Sequence, residues 1–219
     1  MWILLPGIQA GPAEFRRLTP LLRGEFRVLP LPEVQSADLR EHAAALVSTV
    51  PEGAHDFLAA SFGGLVAWGL PAERVRSLTT LGTLPWRTPA ADQSGRLGHA
   101  LRLLPDPLYR RLYRSRVRQS LAADGADDDV LAAVSLPSAA VLSARLRAIA
   151  AWNLPAHPPV RATWMWGVTD PWVTWEKAGV EAAGHEAIVV PGGHRPHLSH
   201  PSEVVRWLER RDRGAAPSR

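Results

Sequence analysis

The chain has 219 residues, 46% of them hydrophobic, which fits one enzyme-sized core carrying an insertion better than two separate folds. It has no cysteine, which excludes disulfides, thiol catalysis and cysteine-ligated metal, and no apolar run approaches the roughly 18 residues of a membrane span. The formal charge is only +4; the pI near 10.5 arises because Lys177 is the only lysine and arginine supplies the other cations, so with no DNA- or RNA-binding motif beside it nucleic-acid binding is not expected.

The opening MWILLPG lacks a basic flank and reads as a buried strand (2–5), not a signal peptide; cytoplasm is the expected compartment. Residues 11–24 read as a helix with Phe15, Leu18, Leu21 and Leu22 on one face, and 27–31 as the next strand. Residues 36–50 read as a helix capped by Ser36, with Leu39, Ala43, Leu46 and Val47 as its apolar stripe. HDFLAA (55–60) is a strand leading directly into a helix at 61–70, and 75–82 is another strand. After an interruption come a strand at 160–166, a polar helix near 172–183, a strand at 186–190 and a helix from about 201 to 211. Such alternation predicts an α/β fold: a mostly parallel sheet with helices on both faces and function at the strands' carboxyl ends.

The insertion, 86–155, has no strand-like run. Helices are expected at 108–121, 127–134 and 138–152, the first with Tyr109, Tyr113, Val117 and Leu121 as its stripe. Segment 86–152 holds ten arginines and six aspartates, a net +4 that equals the whole chain's excess. The expected division is a core of 1–85 and 156–212, the insertion 86–155, and a disordered tail at 213–219.

FLAASFGGLVA is the most informative phrase. A strand running into Ala-Ala-Ser-Phe-Gly-Gly and then a helix is the context of a nucleophile elbow, in which a strained turn projects Ser61 Oγ from the sheet. Ala59 and Gly63 supply the small residues that such a turn needs. Taken alone, the motif also fits a glycine-softened turn with an incidental serine.

Asp170 in TWMWGVTDPW and His194 in IVVPGGHRPHLSHP each fall four residues past a strand. A serine needs a base, and the base needs a carboxylate to fix its tautomer; the order Ser…Asp…His is the one expected of this fold. An ordinary Asp-Pro turn and a surface histidine are the alternatives for each residue singly. His197 and His200 compete with His194 as base. The H-x-x-H-x-x-H spacing is broken by Pro196 and Pro201 and contains no carboxylate, so no metal is expected. His55 and His185 read as structural.

On these motifs the chain resembles the alpha/beta-hydrolase family, in particular small esterase and thioesterase-like members similar to acyl-carrier-protein methyl-ester esterases. LLPGIQAGPAEFRRLTPLL looks like the oxyanion-loop segment, SFGGLVAWGLPAERVRSLTTLGTLP like the elbow, WMWGVTDPWV like the acid loop and VVPGGHRPHLSHPSEVVRWL like the histidine loop. The resemblance implies a serine hydrolase without cofactor, with Ser61, His194 and Asp170 as triad. It also implies backbone N–H groups of Ile8 and Phe62 as oxyanion hole and the insertion as a helical cap. Trp86 and Trp172 would flank the substrate, a small acyl ester or thioester, or simply pack in the core. Arg96, Arg102, Arg110, Arg111, Arg114, Arg116 and Arg118 would attract an anionic group or an acidic acyl carrier protein, or simply form a solvated face.

The chain departs from that pattern in three ways. Pro6 replaces a histidine often found before the oxyanion-loop glycine. The chain opens at the family's third strand, which implies about six strands. LPLPEVQS lacks a glycine-rich turn and AWGLPAERV leaves a short helix. The same three residues would also serve acyl transfer, lyase or haloperoxidase-type chemistry, and a non-catalytic binding module is the remaining alternative.

Overall fold

The six apolar runs become six strands: β1 (Trp2–Leu5), β2 (Phe26–Val28), β3 (His55–Ala60), β4 (Val75–Leu81), β5 (Ala162–Gly167) and β6 (Glu186–Val190). In the computed structural model, which describes residues 1–8, 11–85, 89–152, 162–172, 180–181 and 183–214, they form one parallel sheet in the order β2-β1-β3-β4-β5-β6. A parallel sheet covered on both faces needs apolar side chains at every strand position. Ile3 and Leu5 of β1, Phe57 and Ala59 of β3, and Trp164 and Trp166 of β5 pack into one core. Their neighbours Trp2, Leu4, Leu58, Ala60 and Met165 pack into the other. The strand order reverses between β1 and β3, and such a switch point opens a crevice at the strands' carboxyl ends.

The helices named here are α1 (Leu39–Val47), α2 (Phe62–Trp68), α3 (Pro89–Leu101), α4 (Asp106–Ala123), α5 (Asp128–Ala132), α6 (Ala139–Ala151), α7 (Pro196–Ser199) and α8 (Pro201–Gly214). Helix α1 and α2 serve the larger core, whereas Val204, Val205, Trp207 and Leu208 of α8 close the smaller one. Helices α3 to α6 lie in sequence between β4 and β5 and add Tyr109, Val117, Leu142 and Leu146 to the larger core. Among the described residues no helix is long and apolar enough to cross a membrane.

Four local expectations are corrected. Residues 11–24 form two 3-10 turns, Gly11–Phe15 and Thr19–Leu21, rather than one helix. Pro20 offers no N–H and its ring clashes with the preceding turn, so the ladder stops there. Phe15 and Leu18 still reach the core, but Leu21 stays exposed. The cap of α1 is Asp38, which accepts from Arg40 N–H at 2.9 Å, while Ser36 Oγ accepts from Asp38 N–H and donates to Glu41. Strand β2 ends at Val28, two residues ahead of Pro30, instead of running to 31.

The fourth correction is α3, which was not anticipated. Gly95 and Gly98 lower its helix propensity, yet they let it lie directly on α6. A Cβ at Gly95 would stand 2.7 Å from Ala150 Cβ, and one at Gly98 would stand 2.9 Å from Ser143 O. Packing outweighs propensity here. The expected helix near 172–183 falls mostly outside the described residues, as do residues 215–219 of the expected 213–219 tail, whose first two residues, Arg213 and Gly214, end α8.

Candidate active site

Strand β3 ends at Ala60 and α2 begins at Phe62, so the chain turns on Ser61 alone. Ser61 has φ 47° and ψ −117°, and it is the one non-glycine with positive φ among the described residues. A β-carbon is strained there, and the surroundings hold it in place. Its N–H donates to Leu81 O at 2.7 Å and its carbonyl accepts from Thr83 Oγ1 at 2.9 Å. Trp166 Nε1 in turn donates to Thr83 O at 3.0 Å.

Gly63 permits the tight start of α2, because a Cβ there would overlap Pro6 O and stand 2.9 Å from Leu5 O. Gly63→Ala is expected to lower stability by about 1–3 kcal/mol, as overpacking against backbone does. Urea unfolding measures it; an unchanged midpoint would mean that the end of β1 is not held against this turn.

The loop after β5 carries Asp170 and the loop after β6 carries His194. The two loops are stitched by Val168 N–H to Val190 O at 2.8 Å and Thr169 N–H to Gly192 O at 3.0 Å. The Asp170 carboxylate is fully buried, accepts from Trp172 N–H at 2.8 Å, and stands 3.0 and 3.1 Å from His194 Nδ1. His194 Nε2 lies 3.1 Å from Ser61 Oγ. With Nδ1–H donating to the carboxylate, Nε2 is left as the acceptor for the serine hydroxyl. Gly82 makes this approach possible, since a Cβ there would collide with the His194 carbonyl.

The competing histidines lie elsewhere. His197 is fully buried and stacks on Phe15 at 5.1 Å, while His200 Nδ1 faces Ser199 Oγ at 3.0 Å. His55 Nε2 meets Pro51 O, and His185 Nδ1 accepts from Ala162 N–H.

A cavity of about 370 Å³ opens over Ser61 and His194, with Leu65, Leu84, Tyr113, Val117, Leu146 and Ile149 among its walls. Ile8 and Phe62 also line it, and neither backbone N–H has an acceptor among the described residues. Trp172 stands at its edge, 45% exposed. Trp86 lies outside the described residues.

Three charged residues behind these groups escaped the sequence reading. Glu14 is fully buried and accepts from Gly7 N–H at 2.6 Å. Arg145 of α6 donates to Ile8 O at 3.1 Å and to Pro32 O at 3.0 Å, and its guanidinium sits 5.9 Å from the Phe62 ring centre. The peptide between Gly7 and Ile8, which bears the Ile8 N–H, is therefore fixed from both sides. Arg195 Nε lies 3.4 Å from Glu14, and Arg195 Nη1 binds Asp124 at 2.5 Å and Ser120 Oγ at 3.1 Å. His197 Nε2 is 3.1 Å from Glu14 Oε1, an ion-pair separation without hydrogen-bond alignment.

Burial alone would raise the Glu14 pKa, but His197, Arg195 and the Gly7 N–H outweigh it and hold it below the ordinary value. Burial pushes Arg145 down to about 10, which leaves it charged at neutral pH. The one sequence signal for these residues is a charge set inside an apolar face, as in AEF and SARLRA.

A parallel sheet with its crevice at β1 and β3, a serine on a strained strand–helix turn, and an imidazole bridging it to a buried carboxylate are the features of an alpha/beta-hydrolase-type site. Residues 2–207 match the alpha/beta hydrolase family, and the chain belongs to it. It is similar in structure to a thermophilic esterase from Thermogutta terrifontis (17% identity, 97% of this chain and 89% of that one, TM-score 0.69). It is also similar to a thioesterase domain from the curacin biosynthetic pathway (14% identity, 95% and 90%, TM-score 0.66). An enol-lactonase from Burkholderia xenovorans is a further likeness (17% identity, 95% and 90%, TM-score 0.68). At these identities the likeness establishes the fold. No curated protein matches the chain. Family membership supports hydrolase activity in the broad sense.

Proposed function

We propose that the protein is a serine hydrolase that cleaves a carboxylic ester or thioester through an acyl-enzyme on Ser61. The observation that carries this reading is the continuous chain from Ser61 Oγ through His194 to the buried Asp170 carboxylate. Ser61 attacks the acyl carbonyl while His194 Nε2 takes its proton. Asp170 holds the Nδ1–H tautomer and stabilises the imidazolium, which then protonates the leaving group. Water, activated by the same imidazole, cleaves the acyl-enzyme. The N–H groups of Ile8 and Phe62 receive the oxyanion.

Helices α3 to α6 serve as the cap, and their apolar side chains form the acyl cavity, with Trp172 at its mouth. The exposed arginines of α3 and α4 suit an anionic acyl group or an acidic acyl carrier protein. A salt-sensitive preference for carrier-bound over free esters supports that partner, and no preference removes it. The hydrolase reading itself is tested by intact-protein mass measurement after mixing with an activated ester. The acyl mass is expected on the wild type and absent from Ser61→Ala; no adduct, or one that survives the substitution, overturns it.

Glu14 acts through Gly7 on the oxyanion loop. Glu14→Ala is expected to lower kcat about 10- to 100-fold, somewhat less than loss of an oxyanion donor itself, with KM little changed. Equal kcat in the two proteins would contradict this role. The carboxylate also marks the stability profile. Because its pKa in the folded protein lies below the ordinary 4.5, its contribution is complete above that value and is lost as pH falls through the folded pKa. Thermal unfolding across this range is therefore expected to fall more steeply for wild type than for Glu14→Gln.

A further inference from the structure

The residue after His194 is a buried arginine that touches both the insertion and the core. Arg195 is 7% exposed, and its Nη1 donates to Asp124 at 2.5 Å and to Ser120 Oγ at 3.1 Å. Its Nε stands 3.4 Å from Glu14, whose carboxylate holds the Gly7 N–H of the oxyanion loop. Asp124 is the C-cap of α4, an 18-residue helix. A carboxylate at that end faces the negative pole of the helix dipole, which costs free energy unless a cation offsets it. The position suits Arg195, not the helix.

The same joint is closed from two more directions. A Cβ at Gly193 would stand 2.5 Å from Asp124 Oδ1, so the end of α4 rests on the residue before His194. Arg17 Nη1 donates to Gly125 O at 2.7 Å and to Leu198 O at 2.9 Å. From this joint α4 runs along the catalytic cavity, with Tyr113, Arg116, Val117 and Ser120 at helical spacing on the face that lines it. At the helical rise of about 1.5 Å per residue, Tyr113 lies roughly 16 Å from Asp124, so a tilt of about 5° at the joint moves the wall there by roughly 1.4 Å. That is about the length of one carbon–carbon bond.

We infer that Arg195 is a positioning residue that sets acyl-chain selectivity, because one guanidinium fixes the α4 wall through Asp124 and Ser120 and steadies the oxyanion loop through Glu14. The inference rests on the acyl-enzyme reading for the reaction and adds what determines the fit of the chain. A buried ion pair contributes little net stability, and holding one arrangement is the role left to it here. The two arms have separable effects. Loss of the Asp124 arm loosens the wall, whereas loss of the Glu14 arm slows the chemistry for every ester alike.

The test compares 4-nitrophenyl acetate, butyrate, hexanoate and octanoate as substrates of wild type, Asp124→Asn, Glu14→Ala and Arg195→Met. In Asp124→Asn the ratio of kcat/KM between the best chain and acetate is expected to change about tenfold, the order that one methylene commands in an apolar pocket, with KM moving more than kcat. Glu14→Ala should lower kcat alike across the series, and Arg195→Met should show both effects. Hydrogen exchange gives a readout free of activity: the amides of Tyr113 to Ala123 are expected to lose about tenfold protection in Asp124→Asn and Arg195→Met and to keep it in Glu14→Ala. Asp124→Asn preserves shape, so it tests the joint even if Arg195→Met unfolds. A purely structural pair would lower the melting temperature and leave the chain-length profile unshifted. That result, or unchanged α4 exchange in Asp124→Asn, would overturn the inference. No turnover of any ester by wild type would overturn the acyl-enzyme reading and the selectivity with it, whereas wild-type turnover with an unshifted profile in Asp124→Asn overturns this inference alone.

Discussion

Ser61→Ala is expected to lower ester turnover by about 10,000-fold or more, with little change in KM. The substitution removes the oxygen that lies 3.1 Å from His194 Nε2 and leaves the rest of the site in place. The turn itself is held by backbone bonds, from Ser61 N–H to Leu81 O and from Thr83 Oγ1 to Ser61 O, so the variant should fold. The cavity walls and the Ile8 and Phe62 amides are untouched, which is why binding survives and some residual rate over water remains. Steady-state kinetics on a short activated ester measures it. Turnover within tenfold of wild type would remove Ser61 from the chemistry.

Asp170→Asn should cost about 10,000-fold in kcat at neutral pH by a different route. The carboxylate is fully buried and accepts from both His194 Nδ1 and Trp172 N–H. An asparagine can keep the Trp172 bond through its oxygen, but its NH₂ then faces Nδ1 and calls for the other tautomer. In that tautomer Nε2 carries the proton and cannot accept one from Ser61. The imidazolium formed during attack also loses its counter-charge. Stability should change little, since the shape and one hydrogen bond persist. Activity within tenfold of wild type would mean that His194 does not depend on Asp170.

The contrast between these residues and Glu14 explains what the sequence made legible. Ser61, Asp170 and His194 each follow a strand-like run, and a parallel sheet brings the carboxyl ends of its strands together. Their convergence could therefore be read from local patterns and chain order. The bonds of Arg145 to Ile8 and of Arg195 to Asp124 span well over half and about a third of the chain, and no local pattern announces them. Helix α3 was hidden by Gly95 and Gly98, whose value appears only once α6 lies against them. The 11–24 segment erred the other way. Its leucine spacing suggested one helix, but Pro20 decided the backbone. The six-strand expectation was met, and β3 and β6 matched their expected ranges, because apolar runs buried on both faces leave few other choices.

The central claim is that Ser61 is an activated nucleophile, and reaction with a fluorophosphonate probe tests it most directly. Wild-type protein should be labelled stoichiometrically at Ser61, Asp170→Asn far more slowly and Ser61→Ala not at all. No labelling of the wild type, or equal labelling of wild type and Ser61→Ala, would contradict the account.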